Sequence, residues 1–137
     1  MVVLDCSAAI VIAKGTDTGK AFMKLLVPQE EILSVDLLYA EAASVCWKDV
    51  HFGAVDKRMA TACMQDACDL VDRYIPMKDL RIEALSESIR LEHSPYNMFY
   101  FVLARRNGAT LFTLDKKLIA LCEREGVECV HPLSSGS

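Results

Sequence analysis

Hydrophobic and polar positions along the chain divide it into short segments typical of strands and longer segments typical of helices. The first four residues, Met1-Val2-Val3-Leu4, are all apolar, which is typical of a strand buried on both faces in a parallel sheet. Further strands are predicted over residues 31–35, 109–114 and 127–130. Residues 75–77 are predicted to be either a short strand or an extended connection.

Helices are predicted between these strands from capping residues and apolar spacing. Ser7 is expected to cap a first helix through Ala13, and Thr16 or Asp17 a second helix through Leu26. Asp36 is expected to cap a long helix that ends near Phe52. The remaining helices are predicted over residues 56–73, 79–92, 96–106 and 115–125.

Two of these helices have distinctive apolar patterns. The helix over residues 96–106 is apolar almost all round and is expected to be deeply buried behind Pro95. The helix over residues 79–92 is expected to carry one apolar side. That side comprises Leu80, Ala84, Leu85, Ile89 and Leu91.

The alternation of strands and helices predicts an α/β fold. Short connections favour a mainly parallel sheet of four to five strands with helices on both faces, giving three layers. A chain of 137 residues, 53% of them hydrophobic, is expected to form one domain over residues 1–131, followed by a polar tail over 132–137. No apolar run is long enough for a membrane span, and the first residues do not resemble a signal peptide. A cytoplasmic location away from membranes is therefore expected.

Six cysteines and three histidines raise the question of disulfides or zinc. No Cys-x-x-Cys pattern occurs, and the histidines are scattered. Because free cysteine packs like a small hydrophobe, we interpret these residues as buried thiols. The net charge of −4 gives no general attraction for nucleic acid, so nucleic-acid binding would need a local basic patch.

Three acidic residues occupy equivalent places in the predicted topology. Asp5 follows the first strand, Glu41 lies near the start of the helix after the second, and Asp115 follows the strand that contains Leu111. The carboxyl ends of parallel strands meet at one edge of a sheet, where open α/β sheets bind ligands. The topology therefore predicts that the three carboxylates meet in one pocket.

Each acid also has an ordinary structural explanation. Asp5 and Asp115 can be helix caps, and Glu41 can lie at a border from which its carboxylate reaches water. Taken together, carboxylates about 5 Å apart repel one another by roughly 3 kcal/mol per pair at an effective dielectric near 20. Such a group needs a cation or a raised pKa. All-oxygen ligands suit Mg²⁺ or Mn²⁺, which can activate water for phosphodiester cleavage.

Four short motifs in order resemble those of PIN domains, and the chain length is similar to that of stand-alone VapC-type toxins. The motifs span most of the chain. They are Val2-Val3-Leu4-Asp5-Cys6-Ser7-Ala8, Leu38-Tyr39-Ala40-Glu41, Ser94-Pro95-Tyr96-Asn97-Met98 and Leu114-Asp115-Lys116-Lys117.

The resemblance implies a PIN-like fold and a ribonuclease that hydrolyses RNA with a metal-activated water. Asp5, Glu41 and Asp115 match family acids that hold Mg²⁺ or Mn²⁺. Ser7 and Thr113 match family hydroxyls, which we expect to position the substrate. The resemblance further implies a homodimer and, in the toxin branch, an inhibitory antitoxin protein.

Asn97 departs from the family pattern, in which an aspartate usually follows the tyrosine. Asparagine keeps one oxygen acceptor but replaces the charge with an amide donor. Met98 also replaces a residue that is usually small. We expect weaker metal binding, with Asn97 holding a metal-bound water or serving as a weak ligand in the catalytic set.

Basic and aromatic residues near the predicted pocket have two interpretations. Lys116 is expected to position substrate phosphates beside Asp115, within a basic rim. The other basic residues considered for this rim are Lys14, Lys48, Arg105, Arg106 and Lys117. The alternative is that they are ordinary solvated helix ends. Trp47 and Phe52 are expected to be packing or dimer contacts rather than surfaces on which bases stack.

Three hypotheses therefore follow from the sequence. The first is a divalent-metal-dependent ribonuclease with Asp5, Glu41, Asn97 and Asp115 as its catalytic set. The second is a PIN-like module with weakened catalysis that binds RNA or a protein. The third is an α/β interaction domain in which the acids only cap helices.

Overall fold

A five-stranded parallel sheet forms the centre of the protein. The computed structural model describes residues 1–132, so the predicted tail lies outside the described residues except for Pro132. The strands are β1 Val2–Leu4, β2 Ile32–Val35, β3 Arg73–Ile75, β4 Thr110–Phe112 and β5 Cys129–Val130. Their order across the sheet is β3-β2-β1-β4-β5, and every adjacent pair is parallel. The apolar run at the start of the chain therefore forms the central strand, as its composition predicts.

Helices cover both faces of this sheet. The described residues form α1 Cys6–Lys14, α2 Asp17–Leu25, α3 Leu37–His51, α4 Lys57–Asp69, α5 Met77–Leu91, α6 Pro95–Asn107 and α7 Lys116–Glu125. Val3, Leu33 and Leu111 pack in one core with α5, α6 and α7. Val2 and Leu4, which point to the other face, pack in a second core with α1 to α4. The predicted α/β class, parallel sheet and two helical layers are confirmed.

Several element boundaries differ from the sequence prediction. The helix predicted over residues 56–73 ends at Asp69, because Arg73–Ile75 pairs with β2 instead. Asp36 does not cap α3 with its side chain; its Oδ1 accepts a hydrogen bond from the backbone N–H of Met77 at 2.9 Å. This carboxylate therefore joins the end of β2 to the start of α5.

The apolar side predicted for α5 is wrong in part. Leu80 and Ala84 are buried against the core, whereas Leu85 and Ile89 are 58% and 71% exposed. Helix α5 carries apolar residues on more than one side, and α6 and the sheet can cover only one of these sides. The spacing of the residues alone does not show which side is buried. The prediction for α6 is confirmed, because residues 100–104 are all buried. No helix within residues 1–132 combines the length and apolarity needed to cross a membrane.

Close contact between α1 and α2 depends on Gly19. A Cβ atom at this position would lie 2.0 Å from the carbonyl oxygen of Val11, far inside van der Waals contact. Thr16 caps α2 by accepting a hydrogen bond from the Gly19 N–H at 3.1 Å. Phe22, fully buried on the same helix, stacks on Phe112 of β4 with ring centroids 5.3 Å apart.

We expect Gly19→Ala to lower the free energy of unfolding by roughly 1–3 kcal/mol, because the added methyl group must push α1 and α2 apart. This effect opposes the better helix propensity of alanine. Urea unfolding of the variant beside Lys20→Ala, an exposed neighbour on α2, measures it. Equal stability of Gly19→Ala and the wild type would contradict the close packing of the two helices.

Candidate functional site

Asp5 lies at the carboxyl end of the central strand and caps α1. Its Oδ1 accepts hydrogen bonds from the Ala8 N–H at 3.0 Å and from the Ser7 hydroxyl at 2.7 Å. Its Oδ2 accepts a hydrogen bond from the Thr113 hydroxyl. The prediction that Ser7 caps α1 is therefore wrong: the helix begins one residue earlier, and Asp5 supplies the cap.

The two hydroxyls beside Asp5 also bind the backbone of the connection between β4 and α7. The Leu114 N–H donates to the Ser7 Oγ at 2.9 Å, and the Asp115 N–H donates to the Thr113 Oγ1 at 3.0 Å. Each hydroxyl thus donates to Asp5 and accepts from the backbone of the β4–α7 connection. Since Thr113 is fully buried, it positions Asp5 and Asp115 rather than contacting a substrate, contrary to the sequence prediction.

Burial changes the acidity of Asp5. The side chain is almost fully enclosed, and desolvation raises its pKa from 3.8 to about 6. The hydrogen bonds from Ser7, Thr113 and Ala8 oppose this increase in pKa, while the negative charge of Glu41 adds to it. The site therefore favours binding of a positive charge, either a proton or a metal ion, at this carboxylate.

Glu41 reaches the same site from the first turns of α3. Its Oε1 accepts a hydrogen bond from the Tyr100 hydroxyl at 2.5 Å, and the aromatic ring of Tyr100 is buried in α6. Burial, followed by the charge of Glu41, raises the pKa of this phenol, so it stays protonated as the donor. Tyr100 fixes one oxygen of Glu41, and Oε2 has no hydrogen-bond partner within residues 1–132.

Asp115 and Asn97 form the other part of the site. Asp115 caps α7 by accepting a hydrogen bond from the Leu118 N–H at 3.0 Å, and its Oδ2 accepts one from the Asn97 Nδ2 at 3.1 Å. The same amide nitrogen lies 3.0 Å from the His93 Nε2. Asn97 is therefore a donor to Asp115, which an aspartate could not be when ionised.

These residues line one open cleft of about 480 Å³ at the carboxyl edge of the sheet. Asp5, Glu41, Asn97 and Asp115 all contribute to its walls, as does Ser7. The residues that the sequence reasoning did not assign to the pocket are Cys6, Ile10, Val11, Ser44, Val45, Tyr100 and Leu114. Lys48, one of the basic residues considered for the rim, also lines the cleft.

The other basic residues of the predicted rim lie elsewhere. Arg105 and Arg106 form ion pairs with Glu83, and Lys14 pairs with Asp49 at 3.0 Å. Lys116 is exposed at the start of α7 but does not line the cleft. The prediction that Lys116 positions substrate therefore has no support from the cleft geometry.

The acidic side chains of the cleft offer carboxylate oxygens, the ligands that a divalent cation such as Mg²⁺ prefers. Within residues 1–132, no group of three or more histidine, cysteine, aspartate or glutamate side chains is arranged to hold a metal ion directly. Mg²⁺, however, usually takes only one or two carboxylates and keeps several waters. Asp5 and Glu41 interact electrostatically and both present oxygen, so this pair fits Mg²⁺ or Mn²⁺. Asp115, in the same cleft, is the candidate for a contact through water.

The cysteine in the cleft has no nucleophilic character. Burial, with the charges of Glu41 and Asp5, raises the pKa of Cys6 to about 12, so its thiol stays neutral. All six cysteines are free; Cys6, Cys46 and Cys122 are buried and the other three are half-buried. The sequence interpretation of these residues as packed thiols is confirmed for the three buried ones.

Helical spacing could have found two of the missed residues. Tyr100 lies three residues after Asn97 on α6 and so shares its side, and His93 lies just before the Ser94 cap of the same helix, within reach of its first turn. The contact between Tyr100 and Glu41 could not be read from the sequence, because it joins α6 to α3 across 59 residues.

The comparisons with known proteins establish the fold alone. No protein-family model matches the chain, and no curated protein sequence matches it. The structure is similar to the crystal structure of PAE2754 from Pyrobaculum aerophilum, with a TM-score of 0.69 and 23% sequence identity. The match covers 87% of this chain and 84% of that one. At this identity the similarity carries no conclusion about activity.

We expect Asp5→Asn to stabilise the metal-free protein at pH 8. The raised pKa means that Asp5 favours the folded state below pH 3.8 and that this contribution is lost as the pH rises through about 6. A shift of about two units corresponds to roughly 3 kcal/mol, so a gain of about 1–2 kcal/mol is reasonable after the hydrogen bonds rearrange. Urea unfolding in EDTA at several pH values measures the gain.

Asp56→Asn is the matched control, because Asp56 caps α4 in the same way but is exposed. It should be nearly neutral at every pH. A variant Asp5→Asn that is less stable than the wild type at pH 8 would mean that hydrogen bonds to the ionised carboxylate outweigh its desolvation.

Proposed function

We propose that this protein is a PIN-type ribonuclease that uses Mg²⁺ or Mn²⁺ to hydrolyse a phosphodiester bond of RNA. The observation that carries the proposal is the buried carboxylate of Asp5 beside Glu41, in the cleft that also holds Asp115. A carboxylate that only caps a helix need not be buried. Asp56, for example, caps α4 while exposed to solvent. Caps alone therefore do not account for the cleft.

The electrostatics of the cleft support a cationic ligand. Three carboxylates line it, and the nearest basic side chain in its walls is that of Lys48. When bound, Mg²⁺ or Mn²⁺ would supply Lewis-acid activation of water and neutralise charge that develops on the phosphate. Asp5 and Glu41 would hold the ion, and Asp115 would orient a water or the substrate at the same edge of the sheet.

The protein contributes orientation. Ser7 and Thr113 fix the plane of the Asp5 carboxylate, and Tyr100 fixes Glu41. Each of these donors occupies one lone pair of a carboxylate oxygen, so the remaining lone pairs have defined directions. Lys48, at the cleft wall, is the residue placed to attract a substrate phosphate.

Asn97 supports a second candidate, a PIN-like module that binds RNA or protein with weakened catalysis. Its amide donates to the Asp115 Oδ2 at 3.1 Å and so satisfies an oxygen that a metal-bound water would otherwise contact. An aspartate at this position would instead add a negative charge. The homodimer and the antitoxin implied by the family resemblance also remain predictions.

We expect Mn²⁺ to raise the thermal midpoint of the wild type and to leave that of Asp5→Asn almost unchanged. A ligand that binds only the folded state adds about 1.4 kcal/mol of stability at ten times its dissociation constant. Thermal scans with and without Mn²⁺, at pH 8, measure the effect. Asp56→Asn should respond as the wild type does. If Mn²⁺ left the thermal midpoint of the wild type unchanged, the metal would be removed from the proposal. The third hypothesis, an α/β interaction domain whose acids only cap helices, would then be favoured.

We expect Asn97→Asp to be less stable without metal and to gain more from Mn²⁺ than the wild type. The substitution removes a donor to Asp115 and places two carboxylates about 3 Å apart, which we expect to cost roughly 1–3 kcal/mol without metal. A divalent cation relieves this repulsion. Cleavage of single-stranded RNA should then be faster than in the wild type and absent in Asp5→Asn.

Asn97→Ala separates the lost hydrogen bond from the added charge. Like Asn97→Asp, this variant should be less stable than the wild type without metal. Unlike Asn97→Asp, it should not gain more stability from Mn²⁺ than the wild type does. If the wild type is inert and Asn97→Asp cleaves, the weakened module is the correct function of the natural chain. If Asp5→Asn cleaves as the wild type does, the proposed site is wrong.

A further inference from the structure

Three aromatic side chains lie at the C-terminal end of α3 and its cap, where they form a preassembled stack. The rings of Trp47 and His51 are 4.9 Å apart and inclined by only 12°, and Phe52 meets His51 edge-on at 5.1 Å. We name these three residues the aromatic step. Trp47 is 61% exposed and Phe52 78%, so packing inside the chain does not account for them, and the dimer contact expected as the alternative stays a prediction.

Lys48 connects the acidic cleft to the aromatic step. It lines the cleft with Glu41 and Ser44 and is the sequence neighbour of Trp47, whereas Trp47 lines the separate groove between α3 and α4. Trp47 is turned about 120° around the helix from Glu41 and, at 1.5 Å per residue, lies about 9 Å further along its axis. A strand that leaves the cleft past Lys48 therefore bends around α3 to reach the aromatic step.

Two lysines flank the aromatic step, although the whole chain carries a net charge of −4. Lys48 and Trp47 are adjacent in sequence, and Lys57 lines the same groove between α3 and α4 as Trp47. Neither Lys48 nor Lys57 forms an ion pair within residues 1–132. The nearby acids are already engaged, because Asp49 pairs with Lys14 and Asp56 caps α4.

We infer that the aromatic step is a binding surface for an unpaired nucleotide of an RNA strand whose phosphate backbone enters the acidic cleft. A base stacks on the exposed part of Trp47, while Lys48 and Lys57 contact the phosphates on either side. This inference rests on the proposed ribonuclease function and adds that the substrate is single-stranded at this position. A base inside a duplex already has both faces covered and cannot stack there.

Two observations favour RNA over a protein partner on this surface. The stacked rings present flat aromatic area of the kind used by proteins that bind single strands, and unpaired lysines flank it. A second copy of this chain, by contrast, would bring the same lysines together across a two-fold axis. The stack with His51 also holds Trp47 in place before binding, which reduces the entropy lost when a base stacks on it.

Trp47 is the only tryptophan in the chain, so its fluorescence reports directly on this surface. We propose titrating the wild-type protein in EDTA with a short single-stranded 2′-O-methyl oligonucleotide, which resists cleavage, and with its duplex. Saturable quenching by the single strand, weakened by added salt and much smaller for the duplex, is the expected result.

Variants are compared by the anisotropy of a labelled oligonucleotide of the same kind. Base stacking predicts that Trp47→Ala weakens binding about fivefold to hundredfold and that Trp47→Phe restores most of it. Tyr39→Ala is the matched control, since Tyr39 is 51% exposed on the same helix and stacks on Tyr74 but lines neither the cleft nor the groove. Its affinity should equal that of the wild type.

Unchanged affinity of Trp47→Ala, or equal quenching by single strand and duplex, would overturn the inference. A dimer would also overturn it. In that case the tryptophan emission of the wild type would change with protein concentration and Trp47→Ala would be monomeric, because a second copy of the chain would occupy the surface. The test is independent of catalysis. Quenching without metal-dependent cleavage would refute only the nuclease, whereas cleavage with Trp47→Ala binding normally would refute only the stacking surface.

Discussion

The enclosed carboxylate of Asp5 is the constraint on which the candidate site depends. It ends the central strand, caps α1, and accepts hydrogen bonds from hydroxyls on two different segments. Those hydroxyls also bind the backbone after β4, so the first strand and the β4–α7 connection are fixed by the same few atoms. Three donors do not restore the ordinary acidity of Asp5, since its pKa stays near 6. The electrostatics of this open cleft therefore favour a positive charge beside the Asp5 carboxylate.

Helix α3 brings three surfaces together because its sides face different surroundings. Leu38, Ala42 and Cys46 pack in the core, whereas Glu41 and Lys48 line the acidic cleft. The aromatic step then extends from the end of the same helix. A rigid helix keeps the spacing between these surfaces fixed, so the acidic site and the stacking surface need no loop to position them relative to one another.

The sequence could predict what depends on local pattern and topology. The apolar runs at β1 and β4 predict central strands, and parallel order then brings Asp5 and Asp115 to one edge. The sequence could not predict contacts that join distant segments, such as the hydrogen bond of Tyr100 to Glu41 or of Asp36 to α5. It also could not show which apolar stripe of α5 is buried, because Leu85 and Ile89 have the same spacing as core residues. The exposure of Trp47 could not be predicted either, since a large aromatic residue is more often buried than displayed.

In the proposed function, Asn97 sets how strongly the cleft would hold a cation, while the position of α6 does not depend on its amide. Its neighbour Met98 is fully buried, so the position of α6 is set by the core rather than by the amide. The amide donates to Asp115 and contacts His93, which leaves two acids rather than four to attract a metal ion directly. Electrostatic attraction between a divalent ion and its ligands grows with each added charge, whereas hydrogen-bonded phosphate and stacked bases bind without one. In the proposed function, an amide in place of a fourth carboxylate would therefore weaken metal binding and catalysis before it weakened binding of the strand.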